Sequence, residues 1–239
     1  MKVSIITATF NSAETIDQCL KSIASQTYKN VEHIIIDGNS SDRTLEKIKN
    51  SSYKPSKIIS EKDDGIYEAL NKGTKHATGD IVGFLHSDDF FAHSEVLDNI
   101  IQKFKNSNID AVYGDLEYVS QKNINKTIRK WKSSPFKSKF IKYGWMPPHP
   151  TLYVKRKIIN SLNGFDPSFK ISADYMFVLK IFSQPNFNSQ YIPQVIVKMR
   201  TGGMSNKSFT KIILKSKEDW IVLRKNGFGF LNSFKILLF

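Results

Sequence analysis

The sequence predicts an α/β fold, a mostly parallel sheet flanked by helices, and three observations lead there. The runs VSIITAT, VEHIIID and IVGFL are β-branched and almost continuously apolar, as strands covered on both faces are. The segments between them place apolar residues at helical spacing, as with Ile16, Leu20, Ile23 and Ala24. Strand and helix alternate through Leu85, and such units close as right-handed crossovers into a parallel sheet.

In chain order, KVSIITAT is the first strand, and the polar turn after it offers Ser12 as cap of the first helix, FNSAETIDQCLKSIASQ. VEHIIID is the second strand and SDRTLEKIKN the second helix, with Ser41 at its cap and Asp42 read as a capping residue rather than a ligand. SKIIS is the third strand, DGIYEALNKGTKHA the third helix and GDIVGFL the fourth strand. Beyond residue 95 come a helix, EVLDNIIQKFKN, and two strands, DAVYGDLEYV and KTIRKWK. YGWMPPHPT is irregular, because Pro147, Pro148 and Pro150 fit neither a helix nor a central strand. A helix in SADYMFVLKIFSQ, a strand in YIPQVIVKMR and a loop, TGGMSN, follow. Residues 1–206 are thus expected to form one domain, and 207–239 a basic amphipathic helical tail. A tail of this kind lies on an anionic membrane surface, docks on its own domain, or pairs with a second copy of the chain as a homodimer.

With 239 residues, 40% of them hydrophobic, the chain can bury a core. Its single cysteine, Cys19, excludes an internal disulfide framework and a four-cysteine metal site, and reads as a buried apolar thiol. MKVSIITATF lacks a long apolar targeting region, and no stretch approaches the ~20 apolar residues of a membrane span, so neither secretion nor a transmembrane anchor is expected. The net charge of +13 is uneven: through Tyr118 there are 13 Lys and Arg against 18 Asp and Glu, and beyond it 22 against 4. The basic second half is either a solvated lysine-rich surface or a face for an anionic membrane or phosphorylated substrate. No nucleic-acid-reading module accompanies it, so nucleic acid is not an expected partner.

Ligands of a parallel sheet gather outside the carboxyl ends of its strands. Those ends are polar here: TATFNS, DGNSSDRT, SEKDDG and HSDD. Asp37, Asp63, Asp64, Asp88 and Asp89 converge on one edge, where carboxylates repel one another unless a cation or donors sit among them. A divalent cation with a nucleotide meets that need, since Mg2+ or Mn2+ takes carboxylate and phosphate oxygens together. No G-x-G-x-x-G follows the first strand and no G-x-x-x-x-G-K-[ST] occurs, which argues against dinucleotide and ATP-cradling loops.

The stretches VSIITATFNSAETIDQCLKSIASQTYKNVEHIIIDGNSSDRT, EKDDGIYEALNKGTKHATGDIVGFLHSDD, NGFDPSF and SADYMF resemble the family 2 glycosyltransferases over residues 1–205, in that family's order. The resemblance implies the GT-A nucleotide-sugar-binding fold and an inverting transferase that uses a nucleotide-activated sugar and a divalent cation, Mn2+ or Mg2+. By the same resemblance, Thr7, Ala8, Thr9, Phe10 and Asn11, with Glu14, would contact base and ribose, and Asp37 would read the uracil edge. Asp64, Gly65, Asn71 and Lys72 match a second nucleotide segment. Asp88 would approach the ribose, and Asp89 would ligate the metal that bridges the diphosphate. Asp174 matches the base that takes the acceptor's proton; by position alone it could instead cap the following helix.

The family often has Glu-Asp where this chain has Ala173-Asp174, which keeps the base and puts in doubt an acceptor contact. Trp145 and Met146 form either a sugar-stacking lip or a local cluster. His149 contacts acceptor or phosphate, or is an ordinary loop histidine. Arg200 with TGGMSN resembles the segment that closes over the diphosphate, or is a glycine turn. The expected function is transfer of a hexose, glucose or galactose, from a UDP-sugar donor to a polyprenyl-diphosphate-linked glycan in bacterial surface polysaccharide (O-antigen or capsule) synthesis. The protein would then be cytoplasmic and peripheral at the inner face of the cytoplasmic membrane. The alternative is a non-catalytic nucleotide-sugar-binding partner with the same fold, which would have no need of Asp174.

Overall fold

Every residue of VSIITAT is buried, and the run forms β1 (Val3–Thr9), the middle of the parallel half of the sheet. Its parallel neighbours are β2 (Val31–Asp37) and β4 (Ile81–Phe84), with β3 (Lys57–Ser60) beyond β2. Side chains alternate between two apolar layers, as the two-residue period of a strand requires. Ile6, Ala8, Ile34, Ile36, Val82 and Phe84 face one layer, and Val3, Ile5, Ile35 and Ile81 the other. The computed structural model describes residues 1–143, 145–202 and 209–226.

Helices cover both faces. Ile16 and Leu20 of α1 (Ile16–Ala24), Ile48 of α2 (Thr44–Asn50) and Leu97, Ile100 and Phe104 of α4 (Val96–Phe104) fill the layer of Val3 and Ile5. The opposite layer takes α3 (Ile66–His76), α5 (Arg156–Ser161), α6 (Ala173–Phe182) and α7 (Phe209–Lys225). Helix α3 sits close on β1 because residue 73 is glycine: a Cβ there would stand 2.3 Å from Ile6 Cγ2.

The expected parallel order holds for the first four strands, and the second half of the sheet is mixed. With β5 (Asp89–Phe91), β6 (Ala111–Val119), β7 (Thr127–Trp131), β8 (Tyr153–Lys155) and β9 (Ser189–Arg200), the order is β3-β2-β1-β4-β8-β6-β9-β5, and β7 pairs with β6. Strand β8 runs antiparallel to β4 and β6, β5 antiparallel to β9, and β6 parallel to β9. The register of β6 shifts against β9 around Asp115 and against β7 between Tyr118 and Val119, as at a bulge.

At the amino edge of the sheet, Glu32 ties β1, β2 and the turn into β4. It accepts hydrogen bonds from Ser4 Oγ at 2.6 Å, Lys2 Nζ and Thr78 N at 2.8 Å, and Thr78 Oγ1 at 2.7 Å. Burial works to raise the Glu32 carboxyl, but these donors outweigh it and hold the group at about 2.

The described part of the tail is built into the core: Val222 and Leu223 of α7 are fully buried in the layer that holds α6. The tail residues from Phe228 onward, and Gly203 to Asn206 of the glycine loop, lie outside them. No helix among the described residues is long and apolar enough to cross a membrane.

Candidate active site

The carboxyl ends of the first strands lie level, Thr9 opposite Asp37 and Asp37 opposite Ser60. Asp37 is fully buried, and its oxygens accept from Ser40 Oγ at 2.5 Å, Ser40 N at 3.0 Å and Ser60 Oγ at 2.7 Å. Asn11 adopts a left-handed backbone (φ 48°), which asparagine tolerates better than most residues. From there its Oδ1 accepts the N–H of Ser41 at 2.9 Å, and its own N–H donates to Ser40 Oγ at 2.8 Å. Ser12, expected to cap α1, instead meets Ser87 (Oγ to Oγ 2.8 Å), and Thr15 stands at the helix start. The loops after β1, β2 and β4 are therefore locked to one another.

Not every expected nucleotide residue reaches this edge. Thr7 is in the interior, donating to Leu85 O at 2.7 Å and accepting from His33 Nε2 at 2.9 Å, and Ala8 packs in an apolar layer. Thr9 does stand at the strand end, its Oγ1 buried without a partner, and Phe10 and Glu14 are exposed at the loop surface. Asp64 is exposed, while Asp63 turns toward the β2 loop: its Oδ2 lies 2.9 Å from where a Cβ on Gly38 would stand. Burial raises the Asp63 carboxyl, and the N–H of Gly65, 3.0 Å from Oδ1, opposes this. Gly65 itself has φ +130°, a backbone suited to glycine. Of the two adjacent aspartates, Asp63 is half-buried and Asp64, the expected nucleotide residue, is exposed. Asn71 is structural, its amide bonding both backbone groups of Phe165 at 2.8 Å. Lys72 is paired with Glu61 at 3.0 Å and Glu68 at 3.1 Å.

The two carboxylates that follow β4 differ sharply. Asp88 is half-buried, whereas Asp89 is fully buried and neither of its carboxylate oxygens has a hydrogen-bond partner. Burial drives the Asp89 carboxyl well above the usual range, the Asp88 charge adds to this, and Arg200 opposes it. Of the pair, Asp88 is the carboxylate more exposed to solvent, while the unpartnered oxygens of Asp89 lie beneath the surface. Arg200 donates from Nη1 to Asp88 O at 2.5 Å, its guanidinium 5.2 Å from the centre of the Phe90 ring. Among the described residues no group of three or more His, Cys, Asp or Glu is arranged to hold a metal. Asp88 alone still fits Mg2+ or Mn2+, which commonly bind through one or two carboxylates together with phosphate oxygens and water.

Asp174 lies in the first turn of α6, and its Oδ2 is 3.1 Å from His149 Nδ1. His149 opens the 3₁₀ turn His149–Thr151 directly after Pro148, and Thr151 Oγ1 holds that turn to Pro148 O at 2.7 Å and to Gly114 N of β6 at 3.3 Å. The Tyr67 hydroxyl of α3 hydrogen-bonds Ile171 O and lies 3.4 Å from Asp174 Oδ1. The His86 ring is 5.7 Å from that of His149. Burial lowers His86 to about 4, His149 pushes the same way, and Asp88 and Asp174 oppose it. The His149–Asp174 pair was invisible in the sequence, since nothing local links a proline-rich loop to a helix start. Trp145 is no lip: its Nε1 donates to Ser134 Oγ at 3.1 Å, and its ring packs 5.3 Å from Phe136 and from Phe182. Met146 packs against the same apolar layer.

Comparison with known proteins places the family and the fold. The glycosyl transferase family 2 pattern matches residues 4–164. A PGL/p-HBAD biosynthesis glycosyltransferase of Mycobacterium tuberculosis is 29% identical over 219 residues, covering 89% of this chain and 82% of that protein. The Escherichia coli UDP-Glc:alpha-D-GlcNAc-diphosphoundecaprenol beta-1,3-glucosyltransferase WfgD is 34% identical over 123 residues, 51% of this chain and 48% of that one. Among solved structures, S. aureus TarS in complex with UDP-GlcNAc superposes with a TM-score of 0.73 at 18% identity, over 99% of this chain and 70% of that one. The mannosyltransferase PcManGT of Pyrobaculum calidifontis, in complex with GDP-Man and Mn2+, gives 0.68 at 18% identity, over 99% and 68%. The fold is thus GT-A, and the chain belongs to glycosyl transferase family 2.

Proposed function

We propose that this glycosyltransferase moves a hexose, glucose or galactose, from its UDP derivative to a glycan carried on polyprenyl diphosphate, with inversion, in the synthesis of a bacterial surface polysaccharide such as an O-antigen or capsule. The observation that carries the reading is the Asp174 carboxylate, held by His149 at 3.1 Å beside the His86 ring that follows β4. The acceptor hydroxyl oxygen attacks the anomeric carbon from the face opposite the diphosphate. As that C–O bond forms, the hydroxyl proton passes to the Asp174 carboxylate, the bond from the anomeric carbon to the diphosphate breaks, and UDP leaves with the electron pair. His149 donates Nδ1–H to Asp174 and fixes the plane of the carboxylate. On the donor side, the interlocked loops of Asn11, Asp37 and Asp63 cradle base and ribose. Asp88 would hold Mn2+ or Mg2+, which when bound neutralises charge building on the departing diphosphate.

The named substrate of WfgD supports a UDP donor and a lipid-diphosphate acceptor. The basic second half suits an anionic acceptor at the cytoplasmic face of a membrane. The test pairs calorimetric titration of UDP and GDP, each with Mn2+ or with chelator, with transfer from UDP-glucose and UDP-galactose to a synthetic GlcNAc-diphosphate lipid. Mn2+-dependent UDP binding is expected. Asp174→Asn should cut transfer by about 10²- to 10⁴-fold and leave UDP affinity within about twofold. Unchanged transfer in that variant would remove Asp174 as the base, and preferred binding of GDP would overturn the donor class.

A further inference from the structure

Glu218 of α7 is a buried acid, 6% exposed, that the reaction does not touch. Its Oε1 accepts the backbone N–H of Lys170 at 2.9 Å, and its Oε2 accepts those of Ile171 at 2.8 Å and Ser172 at 2.9 Å. The next residue, Asp219, accepts the Ser172 hydroxyl at 2.6 Å. All four bonds fall on residues 170–172, immediately before Ala173 and Asp174 at the start of α6. Ser172 stands at the N-cap yet makes no side-chain cap bond, because its hydroxyl is turned to α7. From the other side, the Tyr67 hydroxyl of α3 takes the Ile171 carbonyl. The loop that sets Asp174 is gripped through its N–H groups by α7 and through a carbonyl by α3.

Packing alone gives no reason for this arrangement. Val222 and Leu223 already anchor α7 in the core, and apolar side chains at 218 and 219 would do so as well. A carboxylate taking three backbone N–H groups is a strong charge-assisted grip, and it is directional. Direction matters most where a misplacement of about 1 Å can cost about 10²-fold in rate. We infer that Glu218 and Asp219 are positioning residues for Asp174, holding loop 170–172 so that the base meets the acceptor hydroxyl; this rests on the transfer reaction proposed above.

The experiment measures steady-state transfer from UDP-glucose to the GlcNAc-diphosphate lipid, UDP binding by calorimetry and thermal unfolding, for the wild-type chain, Glu218→Gln, Glu218→Asp and Val222→Ala. Glu218→Gln, nearly isosteric, keeps one acceptor oxygen but removes the charge and turns an amide donor toward at least one of the three N–H groups. It should lower kcat at least tenfold while donor KM and UDP affinity stay within twofold. Glu218→Asp keeps the charge and should recover part of the loss. Val222→Ala loosens the same helix away from the grip, and should lower the unfolding temperature but keep kcat per folded molecule. A Glu218→Gln kcat within twofold of wild type, or one that falls only with the folded fraction as in Val222→Ala, overturns this inference alone. A wild-type chain that transfers from neither UDP-glucose nor UDP-galactose overturns the parent reading and this inference with it.

Discussion

Two neighbouring aspartates, Asp88 and Asp89, carry the same charge on paper and opposite roles in the fold. Asp89 is fully buried with unpartnered oxygens, so its neutral form is favoured and asparagine is a close substitute for it. Asp88 is half-buried, and its negative charge is what a cation would meet. Asp88→Asn is therefore expected to weaken Mn2+-dependent UDP binding about 10- to 100-fold, and Asp89→Asn to leave it within about threefold. Calorimetry of the two variants checks the assignment, and the reverse ranking would return the metal to Asp89. The pair drew attention in the sequence from its place after a buried strand. Which member is the more exposed was not legible, because a β-strand turns successive side chains to opposite faces and the start of β5 lay hidden in a three-residue strand. The same ambiguity attaches to Asp63, half-buried, and Asp64, exposed.

The alternating strands and helices through Leu85 were readable because each is long and strongly patterned, and β1, β2 and β4 lie where their apolar runs put them. β5 and β8, of three residues each, and the six-residue α5 show no period of their own, and tertiary pairing decides them. How firmly the readable half is tied shows at its amino edge. Glu32, held at about 2 against an ordinary 4.5, contributes stability that is present above pH 4.5 and lost as pH falls toward 2. Glu32→Gln should cost about 2 kcal/mol at pH 7, a gap that narrows steadily below pH 4.5. Urea denaturation at pH 7, 4.5 and 3 measures this, and a gap of constant size would assign the cost to packing rather than charge.

For the molecule as a whole, the uneven charge made the tail look like a detachable basic surface. Composition does not reveal that two of its acids, Glu218 and Asp219, point inward, or that Val222 and Leu223 close an apolar layer. A chain ending at residue 206 loses both of these side chains from the core, each worth about 2 kcal/mol of burial. Its unfolding temperature should fall by roughly 10 °C, and coincident calorimetric transitions for the long and short chains would mark the helix as separable. The grip of α7 on loop 170–172 also orders events during synthesis. Ser172 and Glu218 are 46 residues apart, and chains generally fold from the amino end as they are made. If the proposed roles hold, a nascent polypeptide would assemble its donor pocket while still on the ribosome, and Asp174 would be aligned only once α7 has emerged. On that reading, the unfinished enzyme would hold an activated sugar without discharging it.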